Sequence, residues 1–103
     1  MSQFNNVSVI AKANVFADGK CVSHTVLFPD GSRKTVGVIM PGTLTFNTGA
    51  PEVMEVVEGR CKVRIGDDAG WREFGPGQSF AVAANTKFDI EALDTFHYVC
   101  HFG

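Results

Sequence analysis

The segment "GTLTFNTGAPEVMEVVEG", residues 42–59, is the part of the sequence that decides the fold. Two runs rich in Thr, Val and Phe flank a Gly-Ala-Pro turn, a pattern that predicts two paired β-strands. The second run begins next to a carboxylate, Glu52, and ends at a Glu-Gly turn signal. This is the outline of a metal-binding site in a β-barrel. The segment nevertheless contains no histidine that could join Glu52 in holding a metal.

The length and composition restrict the classes of function. The chain has 103 residues and a formal net charge of −2, which predicts one domain, residues 1–103, with one core. We expect neither a nucleic-acid-binding face nor a membrane anchor, because no basic patch and no apolar run of about 18 residues occurs. The N-terminus lacks the pattern of a signal peptide. The odd number of cysteines at wide spacings favours buried thiols and a cytoplasmic location.

Short β-rich runs separated by Gly, Pro, Asn and Asp recur along the chain, and no convincing helical pattern competes with them. This arrangement predicts an all-β antiparallel sandwich or barrel. The predicted strands cover residues 21–28, 35–40, 43–48, 53–58, 60–65, 79–83, 87–91 and 97–102.

Alternation along two strands indicates which side chains share a face. Arg60, Lys62 and Arg64 alternate with apolar residues, which predicts a solvated outer face. His24 shares its face with Val22 and Val26, so it is either a core histidine or a group that points into a pocket.

Two longer stretches carry a family resemblance. They are "FPDGSRKTVGVIMPGTLTFNTGAPEVMEVVEG", residues 28–59, and "GWREFGPGQSFAVAANTKFDI", residues 70–90. Their order and spacing resemble the pyrimidine/purine nucleoside phosphorylases, small members of the cupin superfamily, over about residues 14–102. The resemblance implies a single-domain cupin-like jelly-roll β-barrel that forms a homodimer. His97 and His101 depart from the family pattern, as does Ala83 where a proline is common.

The resemblance also implies a reaction: phosphate-dependent cleavage of the N-glycosidic bond of purine and pyrimidine nucleosides, giving ribose 1-phosphate and free base. No cofactor or metal is expected, and inorganic phosphate is the co-substrate. Thr45 and Asn47 stand where metal-dependent cupins carry two histidines, or Phe46 and Thr48 do if the register differs by one residue. Phe88 stands near the position of a third.

Each part of that reaction has candidate residues. Glu52 is the predicted catalytic carboxylate, which would hold the ribose hydroxyls. Hydroxyl and amide groups suit a sugar or phosphate, and aromatic rings suit a base of any identity. The predicted substrate-binding residues are Thr45, Asn47, Thr48, Phe46, Phe88 and Tyr98, and the predicted phosphate-binding residues are Arg33, Lys34 and His24.

Two other functions remain open from the sequence. A non-catalytic cupin that binds a small ligand would keep the same pocket without a phosphate site. A metal-dependent cupin would need unconventional ligands such as His24, Glu52, His97 and His101. A regular strand would hold His97 and His101 about 13 Å apart, too far for one ion.

Overall fold

A computed structural model of the chain describes residues 3–66 and 70–102, so positions 1, 2, 67–69 and 103 of the predicted domain lie outside the described residues. Within the described ranges the chain forms eleven β-strands in two antiparallel sheets. The strands are β1 (Ser8–Val9), β2 (Asn14–Phe16), β3 (Cys21–Leu27), β4 (Arg33–Ile39), β5 (Gly42–Asn47), β6 (Glu52–Glu58), β7 (Cys61–Ile65), β8 (Arg72–Phe74), β9 (Ser79–Val82), β10 (Lys87–Ala92) and β11 (Phe96–Phe102).

The larger sheet has seven strands. Its order is β1-β3-β4-β11-β6-β9. The remaining strand, β2, pairs with the same edge of β3 as β1 does, but with a different part of that edge. β11 lies at the centre, with Cys100 opposite Thr35 of β4 and Met54 of β6. The register between β11 and β6 shifts between His97 and Tyr98, as at a β-bulge.

The smaller sheet has four strands in the order β5-β10-β7-β8. β10 pairs with both β5 and β7, so Phe88 lies between Phe46 and Ile65. Alternation along these strands sends Phe88 and Ile90 inward, and both side chains are buried.

The core lies between the inner faces of the two sheets. Phe96, Ile39, Ile90 and Val56 are almost completely buried there. All three cysteines are buried free thiols, as the sequence predicted. Burial of a small polarizable side chain needs no disulfide partner to be favourable.

The all-β prediction is confirmed, and each of the eight predicted strands is present with its ends shifted by at most two residues. Three short strands, β1, β2 and β8, were not predicted. Across the described residues, the two sheets share no hydrogen-bonded strand pair that would close them into a barrel. Residues 3–66 and 70–102 also contain no helix long and apolar enough to cross a membrane.

Candidate active site

A cavity of about 290 Å³ opens between the two sheets. The larger sheet forms one wall through the inward-facing residues of β2, β3, β4, β6 and β11, and the smaller sheet forms the other through β5 and β10. The side chains that line it are Asn14, Phe16, Ser23, Thr25, Arg33, Thr35, Ile39, Phe46, Asn47, Glu52, Met54, Phe88, Tyr98, Cys100 and Phe102.

Glu52 is the carboxylate that lines the cavity. It begins β6 opposite Phe102 of β11, and its Oε1 accepts a weak hydrogen bond from the Cys100 thiol at 3.5 Å. Partial burial raises the pKa of the Glu52 carboxyl, while the Cys100 thiol and the charge of Arg33 act in the opposite direction. Burial likewise raises the pKa of Cys100 to about 12, so this group donates as a neutral thiol.

Arg33 supplies the positive charge of the cavity. Its guanidinium carbon lies 4.1 Å from the centre of the Phe102 ring, a cation–π contact between the first residue of β4 and the end of β11. Among the residues that the structure describes, no carboxylate forms an ion pair with Arg33. The guanidinium therefore keeps its donors available for an anionic ligand.

Hydroxyl groups cover the cavity wall that the larger sheet forms, because alternate residues of β3 and β4 face the cavity. Ser23 and Thr25 follow one another on β3, and Thr35 lies opposite Thr25 on β4. The Asn14 side-chain amide nitrogen donates to both Ser23 Oγ and Thr25 Oγ1 at 3.2 Å, which ties β2 to the wall. These groups offer several hydrogen-bond donors and acceptors near Arg33.

Tyr98 of β11 also lines the cavity wall that the larger sheet forms. Its hydroxyl lies 3.5 Å from Cys21 Sγ, and burial raises the pKa of the phenol. Gly37 makes room for that hydroxyl, since a Cβ atom at this position would lie 2.9 Å from Tyr98 Oη and 2.8 Å from Ser23 Cβ. The glycine of the Lys-Thr-Val-Gly-Val segment is therefore required by packing.

Aromatic rings form the opposite wall and part of the rim. Phe46 and Phe88 stack with their centroids 5.7 Å apart, and Phe16 of β2 meets Phe46 edge-on at 6.0 Å. Phe88 is 3% exposed and Phe16 is 46% exposed, so the cluster runs from the core to the mouth of the cavity. Phe16 and Phe46 can contact the face of a flat ligand, whereas Phe88 supports them from behind.

The structure thus brings six of the sequence-predicted site residues into the cavity lining and leaves four outside it. The six are Glu52, Asn47, Phe46, Phe88, Tyr98 and Arg33. The four outside the lining are Thr45, Thr48, Lys34 and His24.

The positions of these four follow from alternation along their strands and from local bonds. Thr45 lies on the outer face of β5 and donates to Asp89, while the Thr48 hydroxyl is satisfied by the backbone of Ala83 and Thr86. Lys34 and His24 lie on the outer face of the larger sheet, where they contact His101 and the Ile10 carbonyl respectively. The open question of register is thereby answered: Phe46 and Thr48 are on the inner side, although Asn47 still reaches the mouth.

The unconventional metal ligands considered above do not lie together. Glu52 faces the cavity, whereas His24, His97 and His101 alternate onto the other face of the larger sheet. Within residues 3–66 and 70–102, no group of three His, Cys, Asp or Glu side chains is arranged to hold a metal ion.

Sequence reasoning missed nine of the lining residues. They are Asn14, Phe16, Ser23, Thr25, Thr35, Ile39, Met54, Cys100 and Phe102. Most could have been found by extending the alternation of a predicted strand, since Ser23 and Thr25 are two and four residues from Cys21. Asn14 and Phe16 gave no such signal, because β2 has three residues and no measurable alternation.

The fold and cavity define a small all-β protein with a polar and aromatic ligand pocket, and comparisons with known proteins narrow that class. The family model described as pyrimidine/purine nucleoside phosphorylase matches residues 11–102. A pyrimidine/purine nucleoside phosphorylase of Methylococcus capsulatus is 62% identical over 103 residues, covering all of both chains. One from Cupriavidus necator is 62% identical over 102 residues, covering 99% of this chain and 97% of the other.

A solved structure is also similar. A crystal structure of a protein of unknown function from an Acinetobacter species superposes with a TM-score of 0.95 at 48% sequence identity, and 98% of each chain is covered. The chain belongs to the pyrimidine/purine nucleoside phosphorylase family. Membership confirms the family resemblance of the sequence and its assignment to an enzyme class.

Proposed function

We propose that this protein cleaves the N-glycosidic bond of purine and pyrimidine nucleosides with inorganic phosphate, producing ribose 1-phosphate and the free base. The observation that carries the proposal is one cavity, in a member of this family, that combines a carboxylate, a guanidinium with no ion pair among the described residues, a row of hydroxyls and an aromatic rim. Each component corresponds to one part of the substrates: ribose, phosphate or base.

The phosphate would bind at Arg33. A guanidinium provides two parallel donors to a phosphate, and the hydroxyls of Thr25 and Thr35 on the adjacent strands add neutral donors. Held in this way, a phosphate oxygen attacks C1′ as the bond from C1′ to the base nitrogen breaks. The electron pair of that bond leaves with the base, which then takes up a proton.

Glu52 would hold the ribose hydroxyls. It lies on the same sheet as Arg33, on the other side of β11, and would keep a negative charge close to the sugar as positive charge develops on the ring. Cys100 donates to one carboxylate oxygen and leaves the other available for substrate. Stabilisation of this kind acts in the transition state and accelerates the reaction.

The base would lie against Phe16 and Phe46 at the mouth, with Asn47 at its edge and Phe88 behind the two rings, while Tyr98 lines the opposite wall. Stacking on a ring face depends little on which base is present, because every nucleobase has a π-face. A site of this kind would accept both purine and pyrimidine nucleosides.

We further propose that residues 1–103 form one cupin-like jelly-roll domain, that the chain is a homodimer, and that it acts in the cytoplasm. Two stacked antiparallel sheets around one core support the domain assignment. The buried free thiols Cys21, Cys61 and Cys100 fit a reducing compartment. No metal ion or other cofactor is needed in the steps above.

The test is a nucleoside assay with and without inorganic phosphate after chelation of metals. Base release that requires phosphate and survives chelation supports the proposal. The absence of turnover with every nucleoside, together with tight nucleoside binding, would favour a non-catalytic ligand-binding protein. Turnover that is lost on chelation and restored by a metal would favour a metal-dependent enzyme.

Glu52→Gln tests the role of the carboxylate. We expect a rate loss of about 100-fold or more with the fold intact, because the amide carries no charge to stabilise the transition state. Glu91→Gln is the matched control, since Glu91 lies on β10 outside the cavity lining and its replacement should leave the rate near that of the original protein. An unchanged rate in Glu52→Gln would remove Glu52 from the mechanism.

A further inference from the structure

The Asn14 side chain faces the cavity from β2, beside the wall that carries the hydroxyl groups. It lies opposite Ser23 in the pairing of β2 with β3 and lines the cavity together with Ser23 and Thr25. Its amide nitrogen Nδ2 lies 3.2 Å from Ser23 Oγ and 3.2 Å from Thr25 Oγ1. Backbone pairing from Asn14 to Phe16 joins β2 to β3 independently of these two bonds. The side chain is therefore available for a role beyond strand pairing.

The direction of the two hydrogen bonds follows from the chemistry of the amide. An amide nitrogen only donates, so both hydroxyl oxygens accept from Asn14 and cannot return their own protons to it. Each hydroxyl must therefore direct its proton to another acceptor. Asn14 thus determines where Ser23 and Thr25 can act as donors.

Ser23 is buried and uses its proton within the wall. Burial is the main cause of the raised pKa of the Tyr98 phenol, and the hydrogen bond with Ser23 acts in the opposite direction, as expected when a hydroxyl donates to the phenol oxygen. The lack of a side chain at Gly37 leaves room for this approach, since a Cβ there would overlap both groups. The Ser23 hydroxyl is therefore satisfied without a ligand.

Thr25 differs from Ser23, because its hydroxyl takes part in a hydrogen bond only as an acceptor. In the part of the chain that the structure describes, the bond from Asn14 is the one side-chain hydrogen bond that Thr25 makes. Its proton is left for a group in the cavity. The register of β3 with β4 makes Thr25 and Arg33 diagonal neighbours on the inner face of the sheet. Such neighbours lie about 7–8 Å apart, a gap that one phosphate can bridge.

We propose that Asn14 is a positioning residue for phosphate: by donating to Thr25 Oγ1, it turns the Thr25 hydroxyl into a donor toward an oxyanion bound at Arg33. This inference rests on the phosphate site proposed above and adds a residue that acts through Thr25. Arg33 supplies charge-assisted donors from one side of the anion, and Thr25 supplies a neutral donor from the other. The direction of one hydroxyl thus depends on a strand that the chain forms before β3.

Isothermal titration calorimetry with inorganic phosphate tests the proposal without requiring turnover. Asn14→Leu keeps the approximate shape but has no donor, and it should weaken phosphate binding by about 5-fold because the Thr25 hydroxyl is no longer held as a donor. Thr25→Val should weaken binding by about 10-fold or more, whereas Thr25→Ser should stay within about twofold of the original protein. Asn5→Leu is the matched control, since Asn5 is exposed, bonds to Gln3 and lies outside the cavity lining.

A double-mutant cycle shows whether Asn14 acts through Thr25. If it does, Asn14→Leu should cause no further loss of phosphate affinity when Thr25→Val is already present. Additive losses would show that Asn14 affects the anion by another route and would overturn the proposal. Equal affinity in Asn14→Leu and the original protein would overturn it as well. Circular dichroism of each variant establishes that it is folded.

Sulfate is a second probe, because at neutral pH it carries no proton and can only accept hydrogen bonds. We expect Asn14→Leu to weaken the binding of sulfate and of phosphate to a similar extent. A loss confined to phosphate would mean that Thr25 accepts the proton of bound hydrogen phosphate. That result would overturn the direction assigned to the Thr25 hydroxyl.

Steady-state kinetics separate positioning from a merely structural role. Asn14→Leu should raise the KM for phosphate by about 5-fold and leave the KM for the nucleoside within about twofold, because backbone pairing with Cys21 still holds Phe16 at the mouth. A rise in both KM values would indicate that β2 has shifted, and would contradict the positioning role. Phosphate binding that depends on Asn14 in a chain without turnover would support this inference and count against the proposed reaction.

Discussion

At the scale of a single residue, two opposing effects act on the charge of the Glu52 carboxylate. Removal from water disfavours its negative charge, whereas the Cys100 thiol and Arg33 favour it. The first influence is larger, so the carboxylate is held in the fold at a cost in stability. Such a cost is common where a charged group is needed for function.

The pH dependence of stability should reveal this cost. The folded-state pKa of Glu52 lies above its ordinary value of 4.5, so ionisation is less favourable in the folded chain than in the unfolded chain. The cost is therefore present above that raised pKa and absent below pH 4.5, where the group is protonated in both states. We expect Glu52→Gln to raise Tm at neutral pH and to lose this advantage in acid.

Thermal unfolding at a series of pH values measures the effect. Buffers without phosphate keep ligand binding out of the comparison. A variant that is less stable than the original protein at neutral pH would contradict the argument, because glutamine resembles the protonated carboxyl group.

Arg33 and Lys34 illustrate what the sequence could and could not predict at this scale. Both were predicted to bind phosphate, but neighbouring residues in a strand face opposite sides, so only one of them can line the cavity. The sequence did not reveal which of the two side chains lines the cavity, because this charged pair shows no apolar alternation that would mark the buried face of the strand. Pairing of β4 with β11 settles it, because Arg33 then contacts Phe102 and Lys34 contacts His101.

At the scale of the elements, β5, β10 and β7 are joined on their outer side by a polar network. Asp89 of β10 accepts from Thr45 Oγ1 at 2.6 Å and from Arg64 at 2.9 Å and 3.1 Å, and Arg64 lies over the ring of Trp71. These bonds lower the pKa of the Asp89 carboxyl. Thr45 therefore acts as a link between strands on the outer side.

Asp89→Asn tests this network. We expect a loss of about 1 kcal/mol at neutral pH, since Arg64 is partly exposed and its ion pair is screened. The contribution of Asp89 is present above its unfolded pKa and is lost as the pH falls through its lower folded pKa. Urea unfolding of the two proteins should therefore give curves that converge in strong acid, and equal stability at pH 7 would refute the role.

Gly37 lies where the three strands β3, β4 and β11 approach one another closely. A Cβ at this position would lie 2.7 Å from the Val22 carbonyl oxygen as well as near Tyr98. Gly37→Ala should cost about 2 kcal/mol or more, because backbone atoms must move to relieve the overlap. Gly49→Ala is the control, since nothing lies within 4 Å of its Cβ position. Equal effects of the two changes on Tm would contradict the packing argument.

The elements themselves were predictable wherever alternation extended over four or more residues. The central strands β3, β4, β6 and β11 each bury one face and were found. β1 and β8 have two and three residues and lie mostly exposed, so no periodic signal distinguishes them from loops. Strand pairing was not predictable, because it depends on contacts between residues far apart in the chain.

For the whole molecule, ligand binding and folding are coupled. The proposed phosphate binding predicts that phosphate at 100 times its dissociation constant should stabilise the folded chain by about 2.7 kcal/mol. In a domain of this size, that corresponds to a rise in Tm on the order of 10 °C. Arg33→Gln should abolish most of this rise.

Arg60→Gln is the matched control for that measurement. Arg60 pairs with Glu73 away from the cavity and should not alter the effect of phosphate on Tm. The same Tm measurement in chloride at equal ionic strength separates phosphate binding from general screening of charges by salt. A rise that is the same in Arg33→Gln as in the original protein would place the phosphate elsewhere.

The two sides of the central strand β11 differ, since Cys100 and Phe102 line the cavity while Val99 and His101 lie on the outer face of the seven-stranded sheet. Every side chain on it is committed to one side or the other. Insertion of one residue would exchange the two sets and spoil both surfaces together. Variation in length during evolution should therefore be confined to turns such as residues 29–32, and laboratory libraries for new substrate ranges should keep the length of β11 constant.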